Sequence, residues 1–385
     1  MSDGTVIEIS GAGPAGLAAA LAVRRMGGTA RVYERRANVG LRFHGDFQGL
    51  ENWTTQTDVL DELRSLGIEP DFEHTPFCEV VCFNPDGVAR TFRSERPLFY
   101  LVRRGSGPGT LDIALREQTC RAGSEIHFGE PISYFPQGGI VTEGPHRADV
   151  VAAGYVFETD MADGAYAAIS DRLAPKGYAY LLICKGRGTL ATCLFKDFHN
   201  EREYLERCVD FFSRRTGVRM TNPRRFGGGG NFGLPRSARK GNILYAGEAA
   251  GFQDPLFGFG MRWALVSGAA AGQALVTGEP EKYEQFLRRR LRDFQQTAAT
   301  NRWFYGRLGD RGYRAVLRRF PEGGDVREWL GGIYRPRRWK RLWYRLIAER
   351  GYDSVLTVHE NCDCTWCRCG RHGQTAGARF VHSGR

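Results

Sequence analysis

The first apolar run, Val6-Ile7-Glu8-Ile9-Ser10, has the length of a buried strand, and a glycine-rich turn leads from it into the apolar helical run Leu17 to Gly27. A second strand pattern, Ala30 to Glu34, completes a strand, turn, helix, strand unit. Helices are predicted over Thr57 to Leu66 and Leu111 to Ala122, each stopped by the glycine that follows. Between Glu79 and Phe195 the short runs EVVCF, ARTFR, EIHFG, YAYLLIC and TLATCLF predict an antiparallel sheet forming a substrate-facing layer. At Asn242 the pattern returns to a buried strand, NILYAG, and then to a small-residue helix, MRWALVSGAAAGQAL. Beyond Glu281 the chain reads as helical, aromatic and arginine-rich, and after Val358 it becomes a cysteine-rich tail.

Composition narrows the class. With 42% hydrophobic and 25% charged residues the chain is globular rather than disordered, and 50 glycines in 385 residues imply tight turns or close backbone approaches to a ligand. No apolar run reaches the roughly 18 residues that a spanning helix needs. The opening MSDGTVIEIS lacks a basic stretch followed by an apolar core, so a cytoplasmic location is expected, with peripheral membrane contact left open. In that setting Cys78, Cys82, Cys120, Cys184, Cys193 and Cys208 read as free thiols.

The turn Gly11-Ala12-Gly13-Pro14-Ala15-Gly16 has the spacing of a dinucleotide fingerprint. Gly11 permits the turn, Gly13 lets the backbone approach a pyrophosphate, Gly16 allows close helix packing, and the helix start offers free N–H groups to the anion. Glu34, 23 residues beyond Gly11, stands where a carboxylate accepts hydrogen bonds from a ribose. It suits the adenosine of FAD or NAD over a 2′-phosphate, although the cationic Arg35 and Arg36 adjoin it.

Two later segments carry a resemblance. Tyr100-Leu101-Val102-Arg103-Arg104-Gly105 followed by Leu111-Asp112, and the 17 residues from Tyr245 to Met261 (YAGEAAGFQDPLFGFGM), resemble elements of the para-hydroxybenzoate hydroxylase superfamily and its geranylgeranyl reductase branch. The resemblance implies an α/β fold: a Rossmann-type FAD-binding domain with an inserted antiparallel-sheet substrate domain and a helical C-terminus. It divides the chain into a discontinuous FAD-binding domain (1-75, 98-160 and 225-280), a substrate-binding sheet (76-97 and 161-224), basic aromatic helices (281-357) and a tail (358-385).

By the same resemblance FAD is held by Gly11, Gly13, Pro14, Ala15, Gly16, Glu34, Arg35, Arg42, Arg104, Gly247, Glu248, Pro255, Gly258, Gly260 and Met261. Glu248 takes the place of an aspartate on the ribityl hydroxyls, and the backbone from Gly258 to Met261 faces the flavin N1/O2 edge. Pro175 to Leu182 stands where the branch carries a strand lining a prenyl-chain cavity, which places Tyr178 and Tyr180 in the substrate pocket. The branch's cysteine-glycine-glycine element is replaced by Arg42 to Trp53, and an Asp-Gly motif survives only as Val150 to Gly154, without the acid. His44 is a candidate proton donor within the replacement segment.

Two reactions follow: reduction of a C=C bond in a hydrophobic, prenyl-type or lipid substrate, or NAD(P)H-dependent monooxygenation. NAD(P)H or an electron-donor protein is the expected source of electrons. A flavoprotein without redox turnover is the third alternative.

The net charge of +11 is concentrated between Asn301 and Arg350, where 14 Lys/Arg face 5 Asp/Glu and alternate with tryptophans and tyrosines. Such a segment suits an anionic membrane surface or a solvated helix pair, and no nucleic-acid module accompanies it. Cys362, Cys364, Cys367 and Cys369 are a candidate ligand set for an iron–sulfur cluster or zinc, with redox-active thiols or an inert tail as the alternatives.

Overall fold

The computed structural model describes residues 6–145, 148–232, 237–320 and 323–348. Strand Val6–Ser10, helix Pro14–Arg25 and strand Thr29–Glu34 form as the apolar pattern predicts, and the two strands pair in parallel. They lie inside a six-stranded sheet whose order is Arg239–Lys240, Ile243–Tyr245, Gly139–Val141, Val6–Ser10, Thr29–Glu34, Glu125–Phe128. All neighbours in it are parallel except Arg239–Lys240, which returns antiparallel at the edge.

Two features of this sheet differ from the sequence reading. Glu125–Phe128, read as part of the antiparallel layer, pairs in parallel with Thr29–Glu34. Val150 to Gly154, read as a remnant of a cofactor motif, begins the strand Val150–Glu158 of a separate seven-stranded sheet. The strand that lies beside Val6–Ser10 is Gly139–Val141. A three-residue strand has too little periodicity to be seen in sequence.

The seven-stranded sheet runs in the order Thr221–Gly230, Val150–Glu158, Arg187–Leu194, Tyr178–Cys184, Gly164–Ala168, Glu79–Phe83, Ala89–Arg93. It is antiparallel except between Gly164–Ala168 and Glu79–Phe83. Side chains alternate across a strand, and here one face is covered: Leu181, Ile183 and Leu190 pack with Leu205, Cys208 and Phe212 of the helix Glu201–Thr216. Tyr178, Tyr180 and Leu182 fall on the opposite face. A three-stranded sheet of Phe47–Glu51, Phe99–Arg103 and His74–Phe77 makes a third layer.

Helix Met261–Val276 packs along Pro14–Arg25 with almost no side chain between them. A Cβ on Gly268 would stand 2.0 Å from the Ala15 carbonyl oxygen, and one on Gly272 would stand 2.5 Å from that of Ala19. The small-residue pattern of this helix is thus a backbone contact surface. The C-terminal part is helical as expected, through Pro280–Phe286, Arg292–Arg307, Asp310–Arg318, Val326–Tyr334 and Arg338–Ala348. No helix among the described residues is long and apolar enough to cross a membrane. The six cysteines described are free thiols.

Candidate functional site

The glycine-rich turn is built around Thr142, at the end of the short strand. Gly11 has φ +94°, and a Cβ there would meet the Thr142 carbonyl oxygen at 2.9 Å. A Cβ on Gly16 would stand 1.9 Å from the Gly11 carbonyl oxygen. Gly13 differs, because a Cβ there would meet nothing within 4 Å. Packing inside the protein therefore explains Gly11 and Gly16 but not Gly13, whose Cβ position faces open space. Glu34 braces the turn, accepting hydrogen bonds from the Ala12 N–H (2.9 Å) and the Arg36 N–H (2.9 Å). Arg35 is exposed.

The helix Pro14–Arg25 begins with proline, has no side-chain cap and has no acid in its first turn. The same is true of Met261–Val276 apart from the proline. Ala15 lies against Gly268 and Ala19 against Gly272, so the two helices run in the same direction. The seven residues from Met261 to Gly268 put the second helix start ahead of the first by about 10 Å, at about 1.5 Å per residue. Two uncapped positive helix ends thus point the same way, Pro14 and Ala15 at one and Gly260 and Met261 at the other.

The structure places Arg42 between Glu248, which its Nη1 reaches at 2.5 Å, and the Gly229 carbonyl oxygen. Gly247 has φ +61° and abuts Ala15, so the turn bearing Glu248 sits on the glycine-rich turn. Gly229 belongs to the four-glycine run Gly227–Gly230 on the edge strand of the larger sheet. That run escaped the sequence reading, although consecutive glycines in a strand are themselves a signal of close backbone approach. Thr142 and Gln253 escaped it as well. A Cβ on Gly230 would collide with the Gln253 side-chain oxygen at 2.5 Å. That oxygen is buried without a hydrogen-bond donor, while its amide donates to the Gly258 carbonyl oxygen.

The loop carrying Pro255 and Gly258 is held by Asp254, which accepts from the N–H groups of Leu256 and Phe257 and from the Tyr334 hydroxyl at 2.6 Å. Burial pushes the Asp254 carboxyl up to about 6, against the lowering effect of those three donors. A carboxyl whose folded pKa lies above its ordinary value of 3.8 favours the folded state most below that value. The contribution then fades as pH rises to about 6, a loss on the order of 3 kcal/mol. Denaturant melts between pH 4 and pH 6 are expected to show this slope, and Asp254→Asn is expected to remove it.

Arg104 is engaged within the protein. It is buried, forms a two-pronged pair with Asp112 at 2.9 and 2.8 Å, and stacks over Phe43 at 4.0 Å. Its main chain exchanges hydrogen bonds with Asp46 and Gly45, so it positions the loop bearing Arg42 and His44. His44 is exposed, with its ring tilted against Phe226 at 6.3 Å. Tyr180 packs with Phe226, Val156 and Ala191, which brings the candidate proton donor and the candidate pocket tyrosine to one aromatic patch. Tyr178 donates its hydroxyl to the Phe257 carbonyl oxygen at 2.7 Å and so ties the sheet to the loop. Burial raises both tyrosines well above their ordinary range, leaving them neutral.

Cys362, Cys364, Cys367 and Cys369 lie outside the described residues, and no metal-ligating cluster occurs among those described.

No known family model matches the chain, and no curated protein matches it. Solved structures share its fold. A geranylgeranyl bacteriochlorophyll reductase-like protein from Thermoplasma acidophilum superposes with a TM-score of 0.67 at 16% identity, covering 81% of this chain and 90% of that one. The flavin-dependent brominase Bmp2 does so at 0.63 and 16%, over 90% and 98%. The p-nitrophenol 4-monooxygenase PnpA from Pseudomonas putida DLL-E4 does so at 0.57 and 14%, over 87% and 99%. The α/β fold that the sequence predicts, a parallel-sheet Rossmann-like region with antiparallel sheets and C-terminal helices, is therefore one that these solved structures share.

Proposed function

We propose that this chain binds FAD and is an FAD-dependent oxidoreductase acting on a hydrophobic substrate, with reduction of a C=C bond as the specific reaction. The observation that carries the cofactor assignment is the pair of uncapped helix starts that point the same way. One suits a diphosphate, and the other suits the negative edge of a reduced flavin. Residues between them fit the rest. Gly13 leaves open space, Glu34 offers a carboxylate for ribose hydroxyls, and Arg42 with Glu248 supplies a cation and an acceptor at the middle. The buried Gln253 oxygen, against Gly230, lacks a donor among the described residues.

When bound, FAD would supply a hydride, having been reduced by a hydride from NAD(P)H or by two electrons and a proton from another donor. The chain's own contribution is placement and exclusion of water. Tyr180, Phe226, Val156 and Ala191 form a buried apolar cluster beneath His44, and in this reading the alkene-bearing substrate lies against its His44 edge. Reduction of the alkene consumes one hydride and one proton, and His44, at the exposed edge of that cluster, is the proton donor in this reading.

The test is anaerobic. Protein loaded with FAD and reduced chemically is expected to return to the oxidised flavin spectrum when geranylgeranyl diphosphate is added, with a saturated product. Reoxidation that requires oxygen and yields a hydroxylated product would replace the reductase with a monooxygenase. Failure to retain FAD would overturn the cofactor assignment itself.

A further inference from the structure

The helix Arg338–Ala348 buries Lys340 and Ile347 against the protein and turns a different face outward. On that face stand Trp339, Leu342 and Leu346, spaced three and four residues apart and exposed by 49%, 61% and 52%. Phe304, itself 40% exposed on the helix Arg292–Arg307, extends the stripe through ring contacts with Trp339 at 6.0 Å and Trp343 at 5.5 Å. Core-forming helices turn such a stripe inward. Here the stripe faces out, and isolated exposed apolar residues would need no explanation, whereas a contiguous patch does.

The charge around the stripe selects its partner. Between Arg335 and Ala348 there are six basic residues and no acidic one. Arg338 and Arg345 lie one helical step to the side of the stripe, and Arg335 and Arg337 precede it. All four are exposed and have no acidic partner among the described residues. Arg341 is tied to Asp293. The chain that follows, residues 349 to 385, carries five arginines and four acids, so its charge does not complement this rim. A surface that is anionic and apolar beneath does. We propose that this face is a docking surface for an anionic lipid membrane, with Trp339, Leu342 and Leu346 entering the interface and the arginines meeting phosphates. This stands independently of the reaction proposed above.

The experiment is co-sedimentation of the full chain with vesicles of phosphatidylcholine alone or of equal parts phosphatidylcholine and phosphatidylglycerol. Binding is expected to be at least about tenfold stronger to the anionic vesicles and to weaken as salt rises from about 0.1 M to about 0.5 M. Trp339→Ser with Leu342→Ser and Leu346→Ser is expected to reduce it by at least about tenfold. These exposed positions leave the fold alone, which circular dichroism checks. Arg338→Gln with Arg345→Gln reports on the same surface if the triple variant misfolds, and it is expected to remove most of the preference for anionic vesicles. Absence of binding by the parent, or binding by both variants equal to the parent's, would overturn the proposal. So would a lipid-free dimer that the triple variant abolishes, which would assign the face to a second copy of the chain.

Discussion

Gly16→Ala is expected to abolish FAD retention and to lower the unfolding free energy by about 3 kcal/mol, the upper range for forcing one extra carbon into a packed site. The added Cβ would lie 1.9 Å from the Gly11 carbonyl oxygen and 2.6 Å from the Thr142 hydroxyl, and neither is the end of a long side chain that could swing away. The glycine-rich turn, the helix behind it and the short strand Gly139–Val141 would all have to shift. Gly13→Ala is the informative counterpart. Nothing in the protein lies within 4 Å of its added Cβ, so the fold is expected to keep its stability while FAD binding weakens. Denaturant melts of the apoprotein and fluorescence titration with FAD separate the two effects. Equal FAD affinity in Gly13→Ala and the parent would show that no ligand backbone approach occurs at this turn.

The second large effect is expected at Arg104. Both it and Asp112 are buried, at 5% and 2% exposure. Burial by itself lowers the arginine's pKa, but the facing Asp112 outweighs it and the net direction is upward. Removing one member of such a pair leaves the other charged and unpartnered, so Arg104→Met is expected to destabilise the protein by about 3–5 kcal/mol. Replacing both, as Arg104→Met with Asp112→Leu, is expected to recover much of that loss, because an apolar pair has no charge to desolvate. The double variant also separates structure from cofactor binding. If the arginine acts only by positioning the loop from Arg42 to Asp46, a folded double variant retains FAD with reduced affinity. If the guanidinium itself holds FAD, the folded double variant loses it.

The candidate site was legible wherever its chemistry is local in sequence. The turn from Gly11 to Gly16, the carboxylate of Glu34 and the segment from Gly247 to Met261 each carry their geometry in a few adjacent residues, and the structure brings them side by side, with Glu34 on the Ala12 N–H and Gly247 against Ala15. Arg104 was legible as an arginine near the site, but its partner, and therefore its role, depends on the helix that follows. The glycine run at Gly227–Gly230 was visible and unread, because glycine abundance across the chain hides a run that matters. The metal expectation rests on cysteines outside the described residues.

By itself the sequence determined the strand, helix and strand of the nucleotide half, the small-residue helix that follows Gly260 and the basic, aromatic helical C-terminus, whereas which face of the last helix stays exposed only the structure decided. Each is written in the period of apolar positions or in the residues of one turn, and neighbours along the chain suffice to select it. The tertiary structure alone decided which sheet each short strand joins. Glu125–Phe128 and Gly139–Val141 have four and three residues, too few to carry a pattern, and their place in the parallel sheet is chosen by backbone hydrogen bonding to strands over ninety residues away. It alone also decided that Asp254 meets Tyr334 and that Arg42 meets Glu248, since burying a charge or a hydroxyl requires a partner that only the folded chain can bring within reach.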